Sequence, residues 1–433
     1  MVFKKEEFVS IAEALKKKKG IVALHGWAKR KRDIAETVFV LLRDSSSEIQ
    51  CVFEKKDFSE KQWAQLFKQG IEASLFVKGN LVEEKRAPNG FELKAKEFEL
   101  IGESQNFPIG KDLSEEFLLN VRHLWLRSGK MTAINKIRHT ILFSIRQWHD
   151  ANGFFEISPA IITPNACEGG TTLFPLDYFG EKRFLSQSAQ MYAEVMIFSL
   201  EKVFGLTPSF RAEKSKTARH LTEYWHLEGE IAWGNMFDMM KYIEEMVAFI
   251  CQQVGKRNPK ELELLGRNPE ELLKIKTPFK KITYDEALDL LKKENTILPW
   301  GADLSIKEEK IIAEKEKQPF FVYGYPTAIK SFYVKEQVDP KKCFSFDLMG
   351  GEGYGEMCTG GQREDVIENM VKKLKKEKIP IENYEWYLDL RRYGSVPHSG
   401  YGLGIERLIY WMCKLDTIKD AIPFPRTINR SYP

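Results

Sequence analysis

Apolar and polar residues alternate with a period of two over five stretches of the first hundred residues: Ile21 to Trp27, Thr37 to Leu42, Ile49 to Phe53, Leu75 to Leu81 and Phe91 to Leu100. This period marks strands with one buried face, and the turn-prone SSS and APNG separate some of the runs. A helix is predicted around Glu60 to Gln69. Five strands and one helix are the content of a small β-barrel.

From Asn106 to Arg127 the chain is polar and irregular, which predicts a hinge over 104–127 between a unit at 1–103 and a larger one at 128–433. The period then changes. Ile134, Ile137, Ile141, Ile145 and Trp148 recur at helical spacing, and the run stops at Asn152-Gly153 before FFEIS and Pro159. Helical stretches then alternate loosely with apolar runs such as FFVYGY at 320–325. The regular βα repeat of a parallel sheet is missing, so the class expected is α+β, with a large antiparallel sheet and flanking helices. Asp365 to Lys376 reads as a helix with Val366, Met370 and Leu374 on one side and its lysines in solvent, and the charged segment 256–317 reads as a helical insertion.

Composition narrows this picture only slightly. The 433 residues are 43% hydrophobic and 30% charged, which excludes wholesale disorder. Lys plus Arg total 66 against 62 for Asp plus Glu, too even for a general nucleic-acid coat. The excess is unevenly placed, with 20 basic and 17 acidic residues through Glu103. Six scattered cysteines, without CxxC pairs or zinc-ligand spacing, argue for a reducing compartment and against a disulfide scaffold. No apolar run approaches the roughly 18 residues of a spanning helix. The N-terminus lacks the apolar stretch of a secretory signal, so no membrane partner and a cytoplasmic location are expected.

Four segments carry candidate chemistry. In FRAEKSKTARHLTEYWHLEGE (210–230), a strand bearing Arg211 and Glu213 leads into a loop with Lys214, Lys216, Arg219 and His220. A return strand then sets Tyr224, His226, Glu228 and Glu230 on one face. Loop cations beside an aromatic ring suit a nucleotide's phosphates and base, although a half-exposed sheet face gives the same pattern. SGYGLGIERLIYWM (399–412) places glycines at 400, 402 and 404 ahead of Arg407 and an apolar helix, which fits either an anion site or a tightly packed turn. In FDLMGGEGYGEMCTGGQRE (346–364), Asp347 and Glu356 flank a glycine-rich turn, a spacing that fits a shared Mg²⁺ or a plain surface loop; Arg363 follows. The fourth runs through Cys167, Glu168 and the polar stretch Ser186 to Gln190. With no electropositive neighbour in sequence, Cys167 reads as an inert buried thiol.

In this order the segments resemble the three signature motifs of class II aminoacyl-tRNA synthetases: the helix and strand ending at Pro159, then FRAE…RHLTEY, then GYGLGIER. GWAKRKRD, VRHLWLR, QSAQ, YGEM…GGQRE, DLRRYGSVPHSG and PFPRTINRSYP are similar to the aspartyl and asparaginyl branch. The resemblance implies an N-terminal OB-fold that binds the anticodon, a dimeric catalytic domain, and ATP and Mg²⁺ as requirements. By similarity Arg211 would hold the α-phosphate and the activated carboxylate, and Glu213 would read adenine. Arg219, His220 and Arg407 would meet the phosphates, Tyr224 would stack on the base, and Asp347 and Glu356 would hold Mg²⁺. Glu168 and Gln190 would fix the amino-acid backbone. Arg30, Phe39 and Gln50 would read the anticodon, with Trp27, Lys31 and Arg32 on the same segments. Tyr224 stands where the family usually has Phe, and Ala218 where it often has Arg.

Aspartyl members typically carry Lys where this chain has Ala193 and Asp where it has Glu228. Losing that cation removes a contact worth about 1.5–3 kcal/mol, and an acid facing the ligand repels a carboxylate while accepting from an amide. Arg363 would then donate to the amide oxygen. The expectation is therefore activation of asparagine and its transfer to tRNA(Asn). Two alternatives remain open: an aspartate–tRNA ligase, including one that charges both tRNAs, and a non-charging paralogue that binds RNA.

Overall fold

The computed structural model describes residues 8–111, 113–167, 173–213 and 219–433. Glu168, Lys214, Lys216 and Ala218, singled out above, lie outside them. The chain divides into two compact units, one through Leu118 and one from Leu119.

Five strands of the first unit close into a barrel in the order β1-β2-β3-β5-β4: β1 (Gly20–Ile34), β2 (Thr37–Arg43), β3 (Glu48–Glu54), β4 (Ser74–Glu83) and β5 (Phe91–Gly102). The alternation works as expected. Val38, Val40 and Leu42 of β2 point inward with Ile49, Cys51 and Phe53 of β3. β1 runs seven residues past the apolar run because KRKRDI still pairs with β2, a polar strand that hydrophobic periodicity does not reveal. The helix after β3 spans Glu60–Lys68 and starts on a capping box of Ser59 and Gln62. A short helix at Ile11–Lys17 buries Ile11 and Ala14 in the barrel core.

The stretch expected to be an irregular hinge contains two short helices, Glu115–Asn120 and Arg122–Trp125. Arg122 is buried, donating to Asp420 and to the carbonyls of Lys419, Ile422 and Pro423, so order in the second unit begins before Arg127. Its strands are β6 (Phe155–Glu156), β7 (Ile162–Thr163), β8 (Pro175–Tyr178), β9 (Glu181–Leu185), β10 (Lys202–Phe210), β11 (Glu223–Ala232), β12 (Lys280–Thr283), β13 (Phe320–Tyr323), β14 (Ser345–Gly350), β15 (Gly355–Gln362) and β16 (His398–Gly404). Eight of them form a sheet ordered β12-β13-β14-β15-β16-β11-β10-β6; β7, β9 and β8 form a small separate sheet. The main sheet is antiparallel except at its two edges, where β6–β10 and β12–β13 run parallel. β12 comes from the segment expected to be a helical insertion, which therefore also extends the sheet.

The isoleucine-periodic helix spans Gly129–Ala151 and ends at Asn152, with Gly153 at φ 75° making the turn. Its Ile134, Ile137, Ile141 and Ile145 pack with Met239, Ile243 and Val247 of helix Met236–Arg257 and with Leu227, Ile231 and Leu403 of the sheet. One sheet face is thus committed to core, and the opposite face is left for polar side chains. All six cysteines are buried and none forms a disulfide.

Candidate active site

The polar face of β11 opens onto a cleft of about 290 Å³ lined by Arg211, Glu213, His220, Tyr224, Glu228, Arg363 and Arg407, among others. The pairing of β10 with β11 builds its floor: Ser209 opposes Tyr224 and Gly205 opposes Glu228. β10 ends at Phe210, so Arg211 and Glu213 follow the strand instead of lying in it, although the Arg211 N–H still donates to the Thr222 carbonyl. The face that period two could also assign to solvent is buried, with Glu228 at 3% and Glu230 at 1% exposure.

The glycine run of β16 lies across this face. Gly400 opposes Glu230 and Gly402 opposes Glu228 on β11. A Cβ at Gly400 would collide with the Glu230 carboxylate, and one at Gly402 would come 2.5 Å from His226 Nε2. The spaced glycines thus make room for acidic and imidazole side chains from the neighbouring strand. Glu406, which follows them, is structural: it accepts from Arg138 of the long helix at 2.7 Å and from the Trp225 N–H at 2.9 Å.

At one end of the cleft Glu228 accepts from the Ser188 hydroxyl and, at 2.6 Å, from the Ala189 N–H. Burial pushes its pKa up, and those two donors oppose the shift. Arg363 donates from Nε and Nη2 to Glu230 Oε1 at 3.1 and 2.5 Å. Burial opposes the Arg363 charge, but Glu230 and Glu194 outweigh it and raise the pKa above its ordinary value, so Arg363 stays charged, while burial pushes the Glu230 carboxyl up against the pull of that guanidinium. Gln190 lines the same end, with Nε2 donated to Glu194 at 3.0 Å. Ala193 packs with Ile157, Ile197 and Val203 and adds no cation.

Charges alternate at the other end, where a contiguous cavity is lined by Arg219, His220, Asp303, Glu309, Lys330, Asp347, Glu356 and Arg407. Arg407 Nη1 donates to Glu356 Oε1 at 2.5 Å. Burial would raise the Glu356 pKa, yet Arg407 and Lys330 hold it down at about 2. Burial and the Arg407 charge lower the His220 pKa. Lys330 lies 3.2 Å from Asp347, which also accepts from Thr359 at 2.7 Å. Arg219 donates to Glu309 at 2.7 Å and to the Glu356 carbonyl at 2.8 Å. Sequence pattern did not indicate Lys330, Asp303, Thr359 and Glu309: each is an isolated residue that only the fold brings to the site. Between the two ends, the Arg211 guanidinium sits 5.6 Å from the centre of the Tyr224 ring.

On the barrel, cross-strand pairing sets Arg32 opposite Phe39, Arg30 opposite Leu41 and Leu41 opposite Gln50, on the outer face. The Arg32 guanidinium lies 5.1 Å from the Phe39 ring centre, and Gln50 donates to Glu92 at 3.0 Å. Trp27 is 42% exposed and is not part of the barrel core.

A two-unit chain with an OB-type barrel and this sheet-borne cleft belongs to the class II tRNA synthetases (D, K and N), whose family model matches residues 114–428. An OB-fold nucleic acid binding domain matches residues 22–101. Among individual relatives, asparagine–tRNA ligase of Thermococcus kodakarensis is 48% identical over 95% of this chain and 96% of its own length. The structure of Pyrococcus horikoshii asparaginyl-tRNA synthetase complexed with asparaginyl-adenylate superposes with TM-score 0.96 at 43% identity, covering all of both chains. Its Entamoeba histolytica counterpart, also with asparaginyl-adenylate, gives 0.87 at 32% identity over 95% and 96% of the two chains.

Proposed function

We propose that the protein activates asparagine with ATP and transfers it to tRNA(Asn). The observation that carries this reading is that Glu228 and Arg363 both line one end of the cleft, with Arg363 Nε and Nη2 occupied by Glu230. A carboxamide supplies the matching groups, its NH₂ donating to Glu228 and its oxygen accepting from Arg363 Nη1. A substrate carboxylate would bring a second negative charge against Glu228.

The first step joins the asparagine carboxylate to the α-phosphorus of ATP and releases pyrophosphate. In the second, the terminal ribose hydroxyl of the tRNA takes the acyl group and AMP leaves. Neither step needs a protein nucleophile, since positioning and charge stabilisation carry phosphoryl-type transfer. Arg211 lies between the amino-acid and phosphate ends, where it bridges the attacking carboxylate and the α-phosphate. Tyr224 offers the adenine a stacking face and Glu213 meets its edge. Arg407, His220 and Arg219 face the departing pyrophosphate. Gln190 and Glu168 take the substrate ammonium.

Asp347 and Glu356 line one cavity at the phosphate end, a donor set that fits Mg²⁺ bound together with substrate phosphates. Among the described residues no three His, Cys, Asp or Glu side chains group to hold a metal ion. The bound ion would neutralise phosphate charge, while Lys330 and Arg407 keep the two carboxylates oriented.

The unit at 1–103 reads the anticodon, with Phe39 stacking on a base, Gln50 hydrogen-bonding its edge and Arg30 on phosphate. Residues 104–127 connect it to the catalytic unit, 128–433, with 256–317 inserted there. The protein acts in the cytoplasm as a homodimer. Supporting the dimer, Phe143 and Phe155 are exposed on the segment that resembles the first signature motif, and Ile161 and Ile162 are exposed just after it. No helix among the described residues is long and apolar enough to cross a membrane. Charging assays with tRNA(Asn) test this function: asparaginylation supports it, and aspartylation alone overturns it.

A further inference from the structure

Helix Gln190–Leu200 carries a fully buried carboxylate one turn beyond Gln190 that the two-step reaction does not use. Glu194 Oε1 accepts from Gln190 Nε2 at 3.0 Å and from the Tyr387 hydroxyl at 2.7 Å. Its other oxygen faces Arg391 Nη2 at 2.6 Å and His398 Nε2 at 3.0 Å. Arg363 Nε lies 4.0 Å from Oε1, so one carboxylate touches both residues that meet the amino acid from this side. Two guanidiniums thus converge on it from opposite oxygens, next to the pocket for the substrate side chain.

We propose that Glu194 is a positioning residue that sets amino-acid specificity, fixing Gln190 and Arg363 and absorbing the positive charge of Arg391 behind them. Two consequences follow from the geometry. The Gln190 amide, with its NH₂ spent on Glu194, turns its oxygen to the cleft, where it accepts from the substrate ammonium. Arg363 and Arg391 are each matched by buried acid, Glu230 for the first and Glu194 for both. The side-chain end therefore holds a donor for a carboxamide oxygen without a surplus of positive charge that would draw in a carboxylate. Specificity would rest on this second layer as well as on Glu228. The inference rests on the asparagine reading and adds to it the residue that maintains the charge balance.

Glu194→Gln keeps the shape while removing the charge and one of the two acceptor oxygens. In amino-acid-dependent ATP–pyrophosphate exchange by the full-length protein, we expect the asparagine KM to rise about tenfold and the ATP KM to change less than about twofold. The ratio of kcat/KM for aspartate to that for asparagine should rise at least about tenfold. An unchanged ratio, with both amino acids losing equally, would overturn the proposal. Tyr387→Phe removes one donor and leaves the charge in place. It should preserve the ratio, and a shift towards aspartate there would also overturn the proposal, whether or not Glu194→Gln folds. Failure of the asparagine reading itself would appear separately, as absence of asparagine-dependent exchange by the unsubstituted protein.

Discussion

Arg363 grips Glu230 Oε1 through Nε and Nη2, at 3.1 and 2.5 Å, so one edge of a planar fork is spent on the protein, and in the proposed function Nη1 serves the ligand. Lysine carries the same charge as a single point and cannot serve both partners. For Arg363→Lys we expect kcat/KM for asparagine in pyrophosphate exchange to fall at least about a hundredfold, with little change in the ATP KM. Retention of the unsubstituted asparagine KM would show that Arg363 does not meet the substrate.

Arg211 lines the cleft 5.6 Å from the Tyr224 ring centre, and its charge bears on both Glu228 and Glu356. Charge that develops during attack on the α-phosphorus has to be met there. Arg211→Ala should lower exchange by about a thousandfold or more while the melting temperature stays close to that of the unsubstituted protein. Substantial exchange by this variant would remove Arg211 from the chemistry.

Phe39 stands on the outer face of the barrel beside Arg32, and none of the cleft-lining residues is on the barrel. Phe39→Ala should leave pyrophosphate exchange unchanged and weaken tRNA charging by roughly tenfold or more, the loss expected from one base–aromatic stack. Equal loss of both activities would instead make Phe39 a folding residue.

His149 gives a pH signature unrelated to the cleft. Its Nδ1 faces the Ile145 carbonyl at 2.7 Å, its Nε2 faces the Tyr401 hydroxyl at 3.0 Å, and the ring stacks on Phe204. Burial pulls its pKa from 6.5 to about 4. Between these values the unfolded chain binds the extra proton and the folded one does not, so stability is full above about pH 6.5 and declines as pH falls towards 4. The loss is on the order of 3 kcal/mol. Urea unfolding between pH 7 and 4 should show this slope, and His149→Gln should flatten it.

Period two located all five barrel strands, because each has one wet face, and the isoleucine spacing located the long helix. The polar end of β1 and the edge strand β12 escaped detection, since pairing with a neighbour made them strands and hydrophobicity did not. At the site, ordered motifs pointed to Arg211, Tyr224, Glu228, Glu356, Arg363 and Arg407, and all six line the cleft. The motifs did not indicate how those groups are held. Glu309 against Arg219 and Glu194 against Arg391 join residues far apart in the chain, and Lys330 against Asp347 crosses from a loop to a strand; an isolated lysine or glutamate has no local pattern to betray it.

In the proposed function the Glu228 and Arg363 end of the cleft selects a carboxamide. ATP–pyrophosphate exchange with asparagine and aspartate side by side tests it most directly. Robust exchange is expected with asparagine, and at least about a hundredfold lower kcat/KM with aspartate, because a buried acid faces the wrong charge. Exchange with aspartate equal to or exceeding that with asparagine would contradict it.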